Sequence, residues 1–120
     1  MSKITFVCYP RCTTCKKAEK WLAEKNIAVT VRDIKENNPS KEELRLWHEK
    51  SGLPLKRFFN TSGLKYKELG LKDKLAGMSD DEQYELLATD GMLVKRPLLL
   101  TADKVLVGFK EQEWQDCFQR

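Results

Sequence analysis

The sequence has 120 residues, 41% of them hydrophobic and 33% charged, and its 22 basic and 18 acidic residues give a net charge of +4. A chain of this size folds around one hydrophobic core, so we expect residues 1–120 to form a single domain. No apolar run approaches the roughly 18 residues of a membrane span, and the charge surplus is small and dispersed, so we expect a cytoplasmic protein without a membrane or nucleic-acid partner.

The first 34 residues predict a βαβ unit. Residues 4–9 alternate with a period of two, which is typical of a half-buried strand. A helix is expected from about Cys15 to Lys25, where apolar residues recur at spacings of three and four. Residues 28–34 are rich in β-branched side chains and predict a second strand, which a right-handed crossover makes parallel to the first. The inner stripe of the helix is Ala18, Trp21 and Leu22.

Residues 40–90 predict a block of helices. Two capping boxes, which begin at Ser40 and Ser79, each place a serine three residues before a glutamate and so mark a helix start. Between these two helices, residues 56–75 are a basic, mixed stretch. Two aromatic residues are its expected anchors in the core: Phe58 and Phe59.

The C-terminal part predicts a hairpin and a last helix. Strand-like runs at 98–100 and 105–109 flank the polar loop 101–104, and a helix is expected over about 111–118. The order βαβ, helices, ββα is that of an α/β thioredoxin-like fold. The all-helical insertion of this fold covers about residues 40–90.

Cys12 and Cys15 carry the clearest chemical signal, because a C-x-x-C pair lies between the first strand and the first helix. The sulfur of Cys12 is expected over the helix N-terminus, where free N–H groups and the helix dipole favour the thiolate. Such a position lowers a cysteine pKa from about 8.5 to between roughly 3.5 and 7.5. Three neighbouring cations add to this effect: Arg11, Lys16 and Lys17. The spacing also lets Cys15 attack an oxidised Cys12.

The alternatives to redox use are a metal site or inert cysteines. A zinc site needs a second pair of ligands, and outside this segment the chain offers His48 and Cys117 alone. The first three cysteines, starting at Cys8, spell the C-x3-C-x2-C spacing of iron–sulfur radical enzymes, but those enzymes require barrel-sized domains. Cys8 is also in phase with Phe6 along the strand, so we expect it in the core. These considerations favour a redox pair without a bound metal or cofactor.

Arg96 and Pro97 form a second candidate feature at the start of the strand 98–100. Proline does not donate to a sheet ladder and therefore suits a strand start. In a thioredoxin-like sheet this loop lies opposite the C-x-x-C pair. With a cis bond before Pro97, the guanidinium of Arg96 is positioned to hold the Cys12 thiolate or an oxyanion by paired hydrogen bonds. The alternative is an ordinary proline beside a solvated arginine.

Several blocks of this sequence, in matching order, resemble the ArsC/Spx family, especially its small Spx/MgsR-type branch. The blocks are residues 9–18, 38–44, 65–71, 96–98 and 107–109. The resemblance covers essentially the whole chain. It implies the thioredoxin-like fold with a helical insertion, together with a cis bond before Pro97.

In the arsenate reductases of this family, the cysteine that matches Cys12 attacks arsenate, and the arginine that matches Arg96 helps to bind the oxyanion. The resemblance therefore implies catalytic roles for Cys12, Cys15 and Arg96. It also implies an electron donor that does not stay bound, namely glutathione, a glutaredoxin or thioredoxin.

However, where those arsenate reductases carry further arginines, the nearest equivalents in this chain are Asn60 and either Phe109 or Lys110. Arg57 and Lys110 are the alternative cations that the sequence offers. A dianion without several cationic partners is poorly held, which argues against arsenate as the substrate.

In the Spx branch, the pair that matches Cys12 and Cys15 is an oxidation switch, and the protein binds the C-terminal domain of the RNA polymerase alpha subunit. Gly52 aligns with a glycine of that binding surface, although a glycine after a helix is also a common C-cap. The chain lacks a DNA-reading motif, so a regulatory role requires a protein partner. Three interpretations remain: a thiol-dependent reductase, which we favour, a redox-switched regulator, and a fold whose C-x-x-C is no longer used.

Overall fold

A computed structural model describes residues 4–118, which build one four-stranded sheet with helices on both faces. The strands are β1 (Thr5–Cys8), β2 (Thr30–Asp33), β3 (Leu98–Leu100) and β4 (Val105–Val107). The helices are α1 (Thr13–Glu24), α2 (Lys41–Ser51), α3 (Leu64–Glu68), α4 (Leu71–Lys74), α5 (Asp80–Thr89) and α6 (Glu111–Phe118). None of these helices has the length and apolarity that a bilayer crossing requires.

The strand order in the sheet is β2-β1-β3-β4. β1 and β2 are parallel, with Thr5 opposite Thr30, so the predicted βαβ unit is confirmed. β3 runs antiparallel to β1 and to β4, which confirms the predicted hairpin. The helices α2 to α5 lie between β2 and β3 in the chain, as predicted for the insertion. The fold is therefore the thioredoxin-like α/β fold that the sequence indicates.

The alternation of side chains along β1 divides the core into two halves. Phe6 and Cys8 face a cluster that includes α1 and α6, whereas Val7 faces the helical insertion. Trp114 of α6 is fully buried against Phe6, and its indole N–H donates a 3.1 Å hydrogen bond to the carbonyl oxygen of Gly108. Burial of each large apolar side chain of this kind contributes about 1.5–3 kcal/mol.

The helical insertion is held to the sheet by buried aromatic residues and by well-capped helices. Phe58 and Phe59 are both buried, as predicted, and Phe59 pairs with Val94 in an antiparallel bridge. Both predicted capping boxes are present, at Ser40 and Ser79. The stretch at 56–75 is mostly short helical turns, including α3 and α4.

Several predicted boundaries differ from the structure by one or two residues, and two of these differences bear on the cysteine pair. α1 begins at Thr13, two residues before the expected start at Cys15, which makes Cys12 the N-cap residue. β4 ends at Val107 rather than at residue 109, because Gly108 has a left-handed φ of 77° and turns the chain out of the sheet. Both differences lie at the end of the sheet where β1 leads into the cysteine pair.

Candidate functional site

Cys12 lies at the point where the chain leaves β1 and enters α1. Its extended backbone is fixed on both sides, because its N–H donates to the Tyr9 carbonyl at 2.9 Å and its carbonyl accepts from the Lys16 N–H at 3.1 Å. The side chain is partly exposed. The helix N-terminus therefore presents this sulfur to solvent.

Burial alone raises the pKa of Cys12, but the surroundings more than offset that effect and the pKa is lowered. The sulfur makes no regular capping bond, yet the N–H groups of Cys15 and Thr14, together with the Cys15 thiol, stabilise its negative charge. The charge of Arg96 acts in the same direction. Cys12 is therefore the thiol of this pair that ionises first.

Cys15 has the opposite character. It lies in the first turn of α1 with 3% of its surface exposed, and burial raises its pKa to about 12. The Tyr9 N–H donates to the Cys15 sulfur at 3.4 Å and lowers the pKa, whereas the negative charge on Cys12 raises it further. At neutral pH Cys15 is therefore a protonated thiol beneath the more acidic Cys12.

The other two cysteines are less suited to chemistry. Cys8 is buried in β1, as predicted, and burial raises its pKa to about 11. Cys117 on α6 is partly buried, and burial raises its pKa as well. All four cysteines are free thiols in the structure. Among residues 4–118, no group of three or more histidine, cysteine or acidic side chains is arranged to hold a metal ion.

Arg96 lies in the loop before β3, and its guanidinium packs over the ring of Tyr9. The bond between Arg96 and Pro97 is cis, as predicted. The guanidinium donates to the carbonyl oxygens of Met92 and Val94 at 3.4 and 3.5 Å and lies 5.3 Å from the centre of the Tyr9 ring. Its charge is the smallest of the causes that lower the pKa of Cys12. The catalytic role of Arg96 stays a prediction.

Tyr9 is a site residue that the sequence analysis did not identify. Its N–H contacts Cys15, its carbonyl oxygen holds Cys12, and its ring supports Arg96. The sequence feature that indicates a role for Tyr9 is its place at the end of the first strand, directly before the C-x-x-C segment. The three cations named from the sequence are all exposed: Arg11, Lys16 and Lys17.

Neither Asn60 nor Phe109, two of the residues that the sequence analysis compares with further arginines, carries a charge. Asn60 lines a cleft of about 470 Å³ together with Arg96. Phe109 packs edge-on against the Trp114 ring at 4.9 Å between centroids, as part of the core. The neighbouring Lys110 lies 3.9 Å from the carboxylate of Glu113.

Comparison with known proteins gives a consistent family. The ArsC family model matches residues 8–117. The chain is 58% identical to the uncharacterized protein YusI of Bacillus subtilis, over 94% of this chain and 96% of YusI. It is 29% identical to the regulatory protein MgsR of the same organism, over 92% of this chain and 86% of MgsR.

Solved structures agree with this result. An ArsC family related protein from Bacteroides fragilis has 57% identity and a TM-score of 0.93, and the match covers 95% of this chain and 96% of that protein. A possible arsenate reductase from Streptococcus mutans has 45% identity and a TM-score of 0.87. That match covers 96% of this chain and 99% of the Streptococcus protein.

Proposed function

Because this chain belongs to the ArsC family, we propose that it is a thiol-dependent reductase in which Cys12 is the nucleophile and Cys15 the resolving thiol. The observation that carries the proposal is the opposite character of the two sulfurs. Cys12 is partly exposed with a lowered pKa, whereas Cys15 is buried with a pKa raised to about 12. The thiolate is the reactive form of cysteine, so attack on a substrate begins at Cys12.

The reaction with a disulfide substrate consists of two exchanges. The Cys12 thiolate attacks one substrate sulfur, the substrate S–S bond breaks, and the first product leaves as a thiolate that takes a proton from water. Cys15 then loses its proton to water and attacks the Cys12 sulfur, the bond between Cys12 and the substrate sulfur breaks, and the second product leaves as a thiolate that is protonated by water. The substrate has gained two electrons, and a Cys12–Cys15 disulfide remains. An external thiol donor reduces this disulfide: glutathione, a glutaredoxin or thioredoxin.

The environment of Cys15 supports this order of steps. While Cys12 is a thiolate, its charge helps to keep the pKa of Cys15 high. Once Cys12 is bonded to substrate sulfur, that charge is gone, but the Tyr9 N–H remains 3.4 Å from the Cys15 sulfur. Burial still opposes ionisation, yet Cys15 is more acidic in the mixed disulfide than in the free pair. The resolving thiol is thus activated by the first step.

A disulfide or another oxidised thiol suits this site better than arsenate. Arg96 supplies one cation beside Cys12, while Asn60 and Phe109 supply none. An oxyanion with two negative charges needs several charged or hydrogen-bonding partners. We place the protein in the cytoplasm, where soluble thiols keep cysteines reduced between turnovers.

The test is turnover of 2-hydroxyethyl disulfide with each donor in turn, alongside arsenate as a second substrate. We expect disulfide reduction by the wild type and none above background by Cys12→Ser. Cys117→Ser is the matched control and should retain wild-type activity, because Cys117 lies on α6 outside the cysteine pair. Equal activity of the wild type and Cys12→Ser would show that the proposal is wrong.

A second candidate function is a redox-switched regulator, which the 29% identity to the regulatory protein MgsR favours. In this case the partner is the RNA polymerase alpha subunit. Gly52 is exposed at the end of α2 with a φ of 67°, and a Cβ there would meet no atom within 4 Å, so the backbone is accessible to a partner. Co-purification of the alpha C-terminal domain with the oxidised or reduced protein, in the absence of disulfide turnover, would favour this function.

A further inference from the structure

The expectation of a dispersed charge surplus is wrong, because the net positive charge of the chain is concentrated in one segment. Residues 55–75 contain six basic and two acidic residues, an excess of four that equals the excess of the whole chain. The rest of the sequence is balanced in charge. Such an uneven distribution of charge along the chain indicates an anionic ligand at the surface that the segment forms.

Three cations, two of them from this segment, line one groove of about 350 Å³. They are Lys56 and Arg57, from the turn that follows α2, and Lys95, from the segment before β3. The remaining lining is Pro54, Phe59 and Thr61. No acidic residue lines the groove, and within residues 4–118 none of the three cations takes part in a salt bridge. The groove has the size of a small-ligand site, which is usually about 300–1,000 Å³.

The walls of this groove are fixed by backbone contacts. The Lys95 N–H donates to the Phe58 carbonyl at 2.8 Å, next to the bridge between Phe59 and Val94. The Lys95 side chain extends toward Gly108, where a Cβ would lie 3.4 Å from its Cε atom. The backbone that carries Lys95 is therefore joined by hydrogen bonds to the segment that carries Lys56 and Arg57.

The groove adjoins the cleft that Arg96 and Asn60 line, because the two cavities take their lining from consecutive residues of the chain. Lys95 lines the groove, whereas the following residue, Arg96, lines the cleft with Asn60 and acts on Cys12. The same holds for another pair of consecutive residues, because Thr61 lines the groove and Asn60 lines the cleft. A molecule whose sulfur reaches Cys12 through the cleft can thus place its charged end in the groove.

We propose that the groove formed by Lys56, Arg57 and Lys95 binds the anionic end of the thiol substrate, a carboxylate or a phosphate, while the substrate sulfur reacts at Cys12. This inference rests on the proposed reductase function and names its substrate class. Three cations and the Thr61 hydroxyl offer charge-assisted hydrogen bonds to either anion. The protein then prefers oxidised thiols with acidic tails to neutral ones.

The first test measures binding without any redox step. Pyrophosphate, as the phosphate probe, and citrate, as the carboxylate probe, are titrated into the reduced protein by calorimetry at low salt. The double variant Arg57→Gln/Lys95→Gln should lose about tenfold or more in affinity, since one charge-assisted contact is worth at least about that much. Lys104→Gln, on the exposed loop between β3 and β4, is the control and should bind like the wild type. No binding to the wild type, or equal binding by both variants, overturns the proposal.

The second test connects the groove to the chemistry. Rates of exchange at Cys12 are measured with coenzyme A disulfide, glutathione disulfide and neutral 2-hydroxyethyl disulfide. The preference for the anionic disulfides over the neutral one should fall about tenfold in the double variant and be retained in Lys104→Gln.

The outcomes of the two tests separate the two proposals. If Cys12 reacts with no disulfide, the reductase function is wrong, and the calorimetry still tests whether the groove binds anions. Binding of anions without any rate preference overturns the link to the substrate. Should Lys95 be needed for folding, the exposed Arg57→Gln alone serves for both tests.

Discussion

At the cysteine pair, the backbone contributes as much as the charged side chains. The N–H groups of Cys15 and Thr14 favour a thiolate at Cys12, while the Tyr9 N–H is directed at Cys15. Neither contact depends on a charged side chain, so substitutions nearby leave them in place. Arg96 is the side-chain cation among these influences, and it is the one that mutation can remove.

Replacement of Arg96 tests its electrostatic contribution. Arg96→Ala should raise the pKa of Cys12, because a nearby cation favours the charged form. The rate of alkylation at pH 6 should fall on the order of threefold. Arg96→Lys keeps the charge but loses the planar donor pair, so it should move the pKa less while it weakens the reaction with an anionic substrate.

The measurement is thiolate absorbance near 240 nm against pH, in the wild type and both variants. Lys20→Gln, an exposed position on α1, is the control. A Cys12 pKa that stays constant in both Arg96 variants would mean that Arg96 does not act on the thiolate, and its place in the site would be wrong.

At the scale of elements, an ion pair joins the sheet to the helical insertion. Arg32 of β2 donates to both carboxylate oxygens of Glu43 on α2, at 2.6 and 2.9 Å, and the Ser40 N–H donates to the same carboxylate at 3.0 Å. The hydrogen bond from Arg32 is the main cause that lowers the pKa of Glu43 to about 2. The carboxylate thus serves both as a partner of Arg32 and as part of the capping box.

This pair predicts an acid-sensitive contribution to stability. The pKa of Glu43 is lowered from 4.5 to about 2 on folding, so its contribution is complete above about pH 4.5 and is lost as the pH falls toward 2. Glu43 is 39% exposed, and solvent screening reduces the contribution to about 1–2 kcal/mol. Glu43→Gln should therefore lower the free energy of unfolding by about that amount at pH 7.

Urea unfolding at pH 6 and pH 3 checks this prediction. The wild type should lose more stability between the two pH values than Glu43→Gln does. Glu24→Gln, at the exposed end of α1, is a matched control. Identical pH dependence of the wild type and Glu43→Gln would contradict the ion-pair argument.

At the scale of the whole molecule, the sequence predicts the fold well because its signals are local. The capping boxes at Ser40 and Ser79 depend on residues three apart, and the alternation along β1 depends on neighbours. The predicted start of α1 lies two residues too late because cysteine is not among the preferred N-cap residues, so the sequence does not mark Cys12 as the N-cap.

The site was harder to predict because its contacts join distant parts of the chain. Tyr9 acts through its backbone N–H and its ring, and its place directly before the C-x-x-C segment is the one sequence signal of this role. The cationic groove joins Lys56 and Arg57 to Lys95, almost forty positions later, and the antiparallel bridge of Phe59 with Val94 brings them together. Such contacts follow from the packing of the insertion against the sheet and are visible in three dimensions alone.

The central claim is that Cys12 attacks and Cys15 resolves, and a trapping experiment tests it most directly. The wild type and Cys15→Ser are treated with 2-hydroxyethyl disulfide, quenched in acid and mapped by mass spectrometry. The wild type should end as a Cys12–Cys15 disulfide, whereas Cys15→Ser should retain a stable mixed disulfide on Cys12. Adducts mainly on Cys8 or Cys117, or a dominant Cys8–Cys12 bond in the wild type, would contradict the account.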